Sequence, residues 1–213
     1  RMEEMTPSMA LPSDIPEMHE FMLDDFLPSL SLATALGVTR EETHERYLGL
    51  TRKCVMTGTS VVLRNHSGRV VGVRLCDIEE RGIGHSIEGL ERLSEKLKKI
   101  YRLVDVLNQN KWSLIPRSVD KLWLVEAVAV AREYRGRGLS RVLMEFGVEE
   151  ATARGVKAAA AEVVADASIA LFSKYDYVVL KEVVHSEYLG EDGLPVFVCP
   201  EGEKRAQLVF KML

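Results

Sequence analysis

The chain has 213 residues, of which 46% are hydrophobic and 28% charged, with a formal net charge of −4. That length suits one large domain, and the balance supports a sizeable core. The mild acidic excess argues against nucleic acid as a partner, because such proteins carry a strong basic face. The three cysteines, Cys54, Cys76 and Cys199, are widely spaced, and no histidine stands in an HxxxH or CxxC context, so neither a disulfide framework nor a metal site is expected. No signal peptide and no apolar run near 18 residues is found, which predicts a soluble, cytoplasmic chain without a membrane partner.

Residues 1–13 are polar, flexible or forming a short first strand at 8–11. Ser13 or Asp14 can cap a helix with Pro16 in its first turn and Glu17 placed for a capping box. Ile15, Met18, Met22, Leu23 and Phe26 follow at helical spacing, and Pro28 interrupts. A second helix is predicted over 41–52, after Thr39. The period then switches to two: 60–63 and 69–75 flank Asn65-His66-Ser67-Gly68 as a β-hairpin. Helical spacing returns over 86–109 through Ile87, Leu90, Leu93, Leu97, Ile100, Leu103 and Leu107.

Residues 122–130 form a nearly continuous apolar run, which suits a buried central strand. A Gly/Arg turn follows at 135–138, then Leu139, Val142, Leu143 and Phe146 mark an amphipathic helix to about Arg154, ended by Gly155. A second buried strand is predicted at 156–164 with one internal acid, Glu162. A short helix at 167–175 and strands at 177–184 and 206–213 complete the chain. One mixed α/β (α+β) domain over 1–213 is the economical reading.

The informative unit is strand, turn, helix. Ala127-Val128-Ala129-Val130 leads into Arg135-Gly136-Arg137-Gly138-Leu139-Ser140, with Arg141 in the helix that follows. Successive backbone N–H groups at such a turn, with the free N–H groups of a helix's first turn, form a nest for an anion. Gly136 and Gly138 allow close approach, and Arg135 and Arg137 add positive charge. It is neither the lysine-bearing P-loop nor the complete dinucleotide fingerprint.

That order resembles the GNAT acetyltransferase superfamily, whose motif, Arg/Gln-x-x-Gly-x-Gly/Ala, reads here Arg135-x-x-Gly138-x-Ser140. The resemblance implies a single GNAT-type domain with a mixed, mostly antiparallel sheet flanked by helices. It implies acetyl-CoA, with its pyrophosphate on the loop and its pantetheine arm on the backbone of Val128–Val130, and no metal. Further stretches are similar to the insect-type arylalkylamine N-acetyltransferases: residues 21–27, 167–172, and the tail at 193–197 and 207–211. The implied reaction moves an acetyl group to a small primary amine, an arylalkylamine, by direct attack. Alternatives are another acceptor (a polyamine, amino acid or protein amine) or an acyl-CoA-binding module that has lost catalysis.

A physiological amine is mostly a cation, so a base must remove a proton before attack. A backbone N–H of 128–130 can polarise the thioester carbonyl. Ungapped matching to the insect-type family places Asp25 at the base position, while matching anchored on Leu36-Gly37 places Leu30 there instead. Glu126 is the rival, an acid inside an apolar strand, two residues before Val128 and so expected on the same face. The superfamily's general-acid tyrosine corresponds to Phe172, with Tyr175 one turn on. Ser168 matches one of the insect-type serines, and Val164 stands at the other. No cysteine falls in these segments, which leaves an acyl-cysteine intermediate without support.

Overall fold

The computed structural model describes residues 5–83, 89–199, 202 and 204–213. Among these, seven strands form one sheet in the order β1-β2-β3-β4-β5-β7-β6. They are β1 (Thr6–Met9), β2 (Val61–Arg64), β3 (Val70–Glu80), β4 (Lys121–Val130), β5 (Ala158–Val163), β6 (Val178–Val184) and β7 (Arg205–Met212). The β4–β5 pair is parallel and every other neighbouring pair is antiparallel. This is the mixed, mostly antiparallel sheet that the sequence predicts.

Helices cover both faces. On one face α1 (Ile15–Phe21) and α3 (Arg40–Thr57) pack on β3, and α4 (Glu95–Asn108) packs on β7. On the other lie α6 (Leu139–Glu145), α7 (Val148–Ala153) and α8 (Asp166–Lys174). Short helices α2 (Ser31–Ala35) and α5 (Lys111–Leu114) fill the connections. The faces follow strand parity: Leu122, Leu124, Ala158 and Ala160 share one cluster, while Trp123, Val125, Ala159, Ala161 and Val163 share another with Phe172 of α8. No helix among the described residues is long and apolar enough to cross a membrane.

Several predicted elements shift for identifiable reasons. α3 begins where expected, because Thr39 accepts the N–H of Glu42 at 3.3 Å and Glu42 accepts that of Thr39 at 2.8 Å. It runs on to Thr57, where Gly58 adopts φ +76° and closes it. α1 passes into a π-helical turn over Met22–Phe26 before Pro28. The helix predicted over 86–109 starts only at Glu95: Leu93 is extended and Ser94 caps the new start, while Ile87 lies outside the described residues.

The single helix expected from 139 to 154 is two, and the cause is Arg74. This β3 side chain is 1% exposed and reaches across to the last turn of α6. It donates to the carbonyls of Leu143 (2.5 Å) and Met144 (3.3 Å) and to that of Thr59 (3.4 Å). Its guanidinium carbon sits 4.3 Å from the Trp123 ring centroid. A cation at a helix C-terminus satisfies carbonyls the helix leaves open and complements its dipole. Beyond it Phe146 is extended and Gly147 takes φ +79°. A Cβ on Gly147 would come within 3.0 Å of Met9 Sδ and 3.3 Å of Arg74 Nη2, so the break needs glycine for space as well as for conformation.

Arg74→Met keeps much of the volume but leaves those buried carbonyls unpaired. It is expected to lower stability by roughly 2–4 kcal/mol, read from the urea midpoint at unchanged m. An unchanged midpoint would show that α6 is held by its apolar face alone.

Candidate active site

β4 runs to Val130 and β5 to Val163, yet they pair only through Leu122–Ala158, Trp123–Ala159 and Leu124–Ala160. β3, by contrast, follows β4 all the way to Val130. In that pairing Leu75 faces Ala127 and Cys76 faces Val125, which leaves Glu126 as one extra residue on β4. Such a bulge bends its strand and increases local twist. The bend falls where β4 leaves β5, so past Leu124 one edge of a central strand has no neighbouring strand. Peptide groups on such an edge need hydrogen-bond partners, and an extended chain carrying amides can supply them.

The bulge also decides which way Glu126 points. Period two alone puts it on the face of Val128, and the structure corrects this. Val128 packs in part with Cys76, Trp123 and Val125, toward α6–α8. The charge of Glu126 is instead felt by Lys53 and Cys54 of α3 and Tyr101 of α4, on the opposite face.

Beyond β4 the chain makes a tight turn at Arg132–Tyr134, then Gly136 and Gly138, both at φ +75°. A Cβ at either glycine would meet nothing within 4 Å, so the space beside this turn is open. Its frame is tied down. Arg135 Nε donates to the Val130 carbonyl at 3.0 Å. Arg137 donates to the Glu133 carbonyl and stacks 4.9 Å from the Tyr134 ring centroid. Glu133 pairs with Arg69 at 2.8 Å, and the Tyr134 hydroxyl accepts from Asn65 at 3.0 Å. Leu139 and Ser140 open α6, and Arg141 pairs with Glu145 along it. Strand, glycine turn and helix start therefore follow one another directly from Val128 to Arg141, with Ala131 buried where the strand ends.

The acid candidates separate. Asp25, in the π-helical turn, accepts the backbone N–H of Arg132 at 3.3 Å, beside the glycine turn. Glu126 lies four residues before Val130, roughly 13 Å back along the strand at about 3.3 Å per residue. Asp25 therefore lies beyond the C-terminal end of β4, and Glu126 near the strand's middle. Ser168 lies half-buried in the first turn of α8, which follows β5 directly. Phe172 is 3% exposed and meets the Tyr177 ring edge-on at 4.9 Å. Tyr175 caps the far end of α8, one turn beyond Phe172, and packs against the same cluster. Burial raises its hydroxyl pKa, with Glu145 adding to the rise and Arg141 opposing it. Val164 packs beside Leu180 and Val183.

Sequence reasoning did not find the groups between α3 and α4. Arg46 of α3 donates to the Tyr101 hydroxyl of α4 at 2.9 Å, and its guanidinium lies 4.9 Å from that ring's centroid. Burial raises the Tyr101 pKa despite Arg46. Lys53, one heptad after Arg46 and so on the same side of α3, pairs with Asp77 at 2.7 Å. Burial works against its charge, but Asp77 and then Glu126 hold its pKa above the ordinary lysine value. Glu162, the internal acid expected in the second buried strand, lies in β5. The thiols of Cys54 and Cys76 are buried and pushed up, that of Cys76 to about 11, so neither is a thiolate at neutral pH. A cavity of about 710 Å³ between α4 and residues 188–196 contains none of the predicted site residues.

A model of the acetyltransferase (GNAT) family matches residues 39–177, most of the chain, and the chain belongs to that family. A search of curated proteins found no match. Among solved structures, arylalkylamine N-acetyltransferase 2 from Aedes aegypti superposes with a TM-score of 0.85 at 21% identity, covering 98% of this chain and 99% of that one. A Drosophila melanogaster polyamine N-acetyltransferase that forms N-acetylagmatine gives 0.83 at 20%, covering 99% and 100%. The C-terminal condensation domain of Ebony, in complex with β-alanyl-dopamine, gives 0.81 at 17%, covering the whole of both chains. At these identities the likeness is one of fold.

Gly138→Asp sets a carboxylate in the glycine turn. Because the space around Gly138 is open, the cost to the fold is limited to about 1–2 kcal/mol of left-handed strain. Acetyl-CoA affinity is expected to fall by a factor on the order of 100 or more, since opposed like charges cost several kcal/mol. Calorimetry on the folded variant decides, and unchanged affinity would remove this turn from the cofactor site.

Proposed function

We propose that this acetyltransferase transfers the acetyl group of acetyl-CoA to the nitrogen of a small primary amine, an arylalkylamine, by direct attack in a ternary complex. The observation that carries the proposal is the parting of β4 from β5 beside the open glycine turn. Acetyl-CoA supplies an activated acyl group as its thioester. The turn at Gly136–Gly138 and the first turn of α6 hold the pyrophosphate, with Arg135, Arg137, Leu139, Ser140 and Arg141 framing it. The free edge at Val128, Ala129 and Val130 takes the pantetheine amides. An arm that starts at the turn and follows this edge backward reaches Glu126 last, which puts the thioester end at the bulge.

Glu126 is then the general base. It lies at the reacting end of the edge and on the face roofed by α3 and α4, where an amine can enter. It takes one proton from the ammonium, and the neutral nitrogen attacks the carbonyl carbon while a β4 N–H stabilises the oxygen. The C–N bond forms, the C–S bond breaks, and the thiolate takes up the second proton, which the nitrogen releases as it becomes an amide. Ser168, at the start of α8, assists on the thiol side. Asp25 acts as a positioning residue, holding Arg132 and thereby the entry to the glycine turn.

One feature supports an aromatic amine as acceptor. The half-buried rings of Phe26 and Tyr101 stand on the roofing elements, and Phe26 packs 5.9 Å from Tyr47.

Thiol release from acetyl-CoA with 2-phenylethylamine, tyramine, putrescine, spermidine and amino acids tests the reading. Turnover is expected with the aromatic amines, with kcat/KM rising with pH and then levelling. Glu126→Gln is expected to lower kcat by about 10²–10⁴-fold with acetyl-CoA affinity intact. Asp25→Asn is expected to raise the KM for acetyl-CoA with little change in kcat. A silent Glu126→Gln alongside a slow Asp25→Asn would transfer the base to Asp25. Saturable acetyl-CoA binding with no turnover on any amine would indicate a binding module.

A further inference from the structure

Glu162 has the setting of a functional acid. It lies in β5, in an alanine-rich strand, two residues beyond Ala160, the last residue of β5 paired with β4. Glu126 lies two residues beyond Leu124, the last paired residue of β4. The two acids therefore flank the parted strands at matching positions. Parity sets Glu162 on the face of Ala158 and Ala160, the face of α4, and its register partner on β7 is Leu208, which packs with Leu103 and Leu107.

Among the described residues no ion pair neutralises it. Glu162 Oε1 is buried and has no hydrogen-bond partner among the described residues. Among the described residues the cations on that face are engaged elsewhere: Lys53 with Asp77, Arg46 with Tyr101, and Lys181, which shares the register partner Leu208, with the carbonyls of Val106 and Gln109. The amide of Gln207 goes to Glu182 at 2.6 Å. A buried carboxylate oxygen without a donor destabilises a fold, and an alanine-rich strand has no structural need of one.

We propose that Glu162 binds the acceptor's ammonium group, opposite Glu126 across the parted strands. An ammonium has three N–H donors and a charge that must be compensated on leaving water. Glu126 accepts one of its protons, while Glu162 accepts a hydrogen bond that persists in the neutral amine and orients the nitrogen toward the carbonyl carbon. This division of roles rests on the amine-acetyltransferase reading above. It makes Glu162 a determinant of amine affinity, with turnover left to Glu126.

Glu162→Gln, which keeps shape and removes charge, separates this role from a structural one. With the aromatic amine that wild type turns over best, the amine KM is expected to rise about 10- to 100-fold, the worth of a charge-assisted hydrogen bond. The KM for acetyl-CoA should stay unchanged and kcat should hold within a few-fold. Calorimetric titration of 2-phenylethylamine into the CoA-saturated protein should show the same loss without turnover. The melting temperature should stay level or rise, because an unpaired buried charge has been removed. An unchanged amine KM, or a melting temperature several degrees lower, would overturn the proposal. If wild type turns over no amine at all, the function reading itself fails, a different result from an active wild type with an indifferent Glu162→Gln.

Discussion

The site depends on one departure from regular pairing, the single extra residue at Glu126 in β4. A parallel pair of central strands satisfies the backbone of both along its whole length. Here β4 and β5 hold together for only three residue pairs, while β3 follows β4 to its end. The bulge between the partners of Leu75 and Cys76 therefore does two things. It bends β4 away from β5, exposing one backbone edge, and it delivers an acid to the face where α3 and α4 meet. A bulge near an active site is a recurring way to re-aim a side chain, and both consequences arise here from one residue.

The surroundings keep that opening in shape. Arg74 anchors the end of α6 from beneath, and Arg135, Glu133 and Tyr134 brace the glycine turn at its start. Asp25 links the π-helical turn after α1 to the same corner. Across the opening, the Arg46–Tyr101 contact joins α3 to α4. α3 packs on β3 and α4 on β7, so this contact spans the parted strands from above. Rigid elements thus surround a gap in the sheet, the arrangement a two-substrate transfer needs when both reactants must be held in register.

Much of this was legible in the sequence. The strands, α3 and the apolar face of α4 follow from periodicity, because each buries one side and the pattern records it. The glycine turn was legible because Gly136 and Gly138 are required by backbone conformation, a local property. What the sequence withheld is tertiary. The break after Glu145 is imposed by Arg74 from another strand, and local propensity carries no trace of it. The face of Glu126 depends on register with β3, so strict alternation assigned it wrongly. Glu162 was visible as an acid among alanines, but that its Oε1 has no hydrogen-bond partner among the described residues depends on every element around it. Tyr175 packs against the same cluster as Phe172, a neighbourhood that its spacing along the helix already suggested.

The central claim is that the β4 edge beyond Leu124 binds the pantetheine arm of acetyl-CoA. Hydrogen–deuterium exchange, read on peptides from the two halves of β4, tests it directly. Amides over 125–130 should exchange faster than those over 121–124 in the free protein, and acetyl-CoA should slow the 125–130 half selectively. Equal protection of both halves before ligand, or no change at 125–130 when acetyl-CoA is bound, would contradict the account.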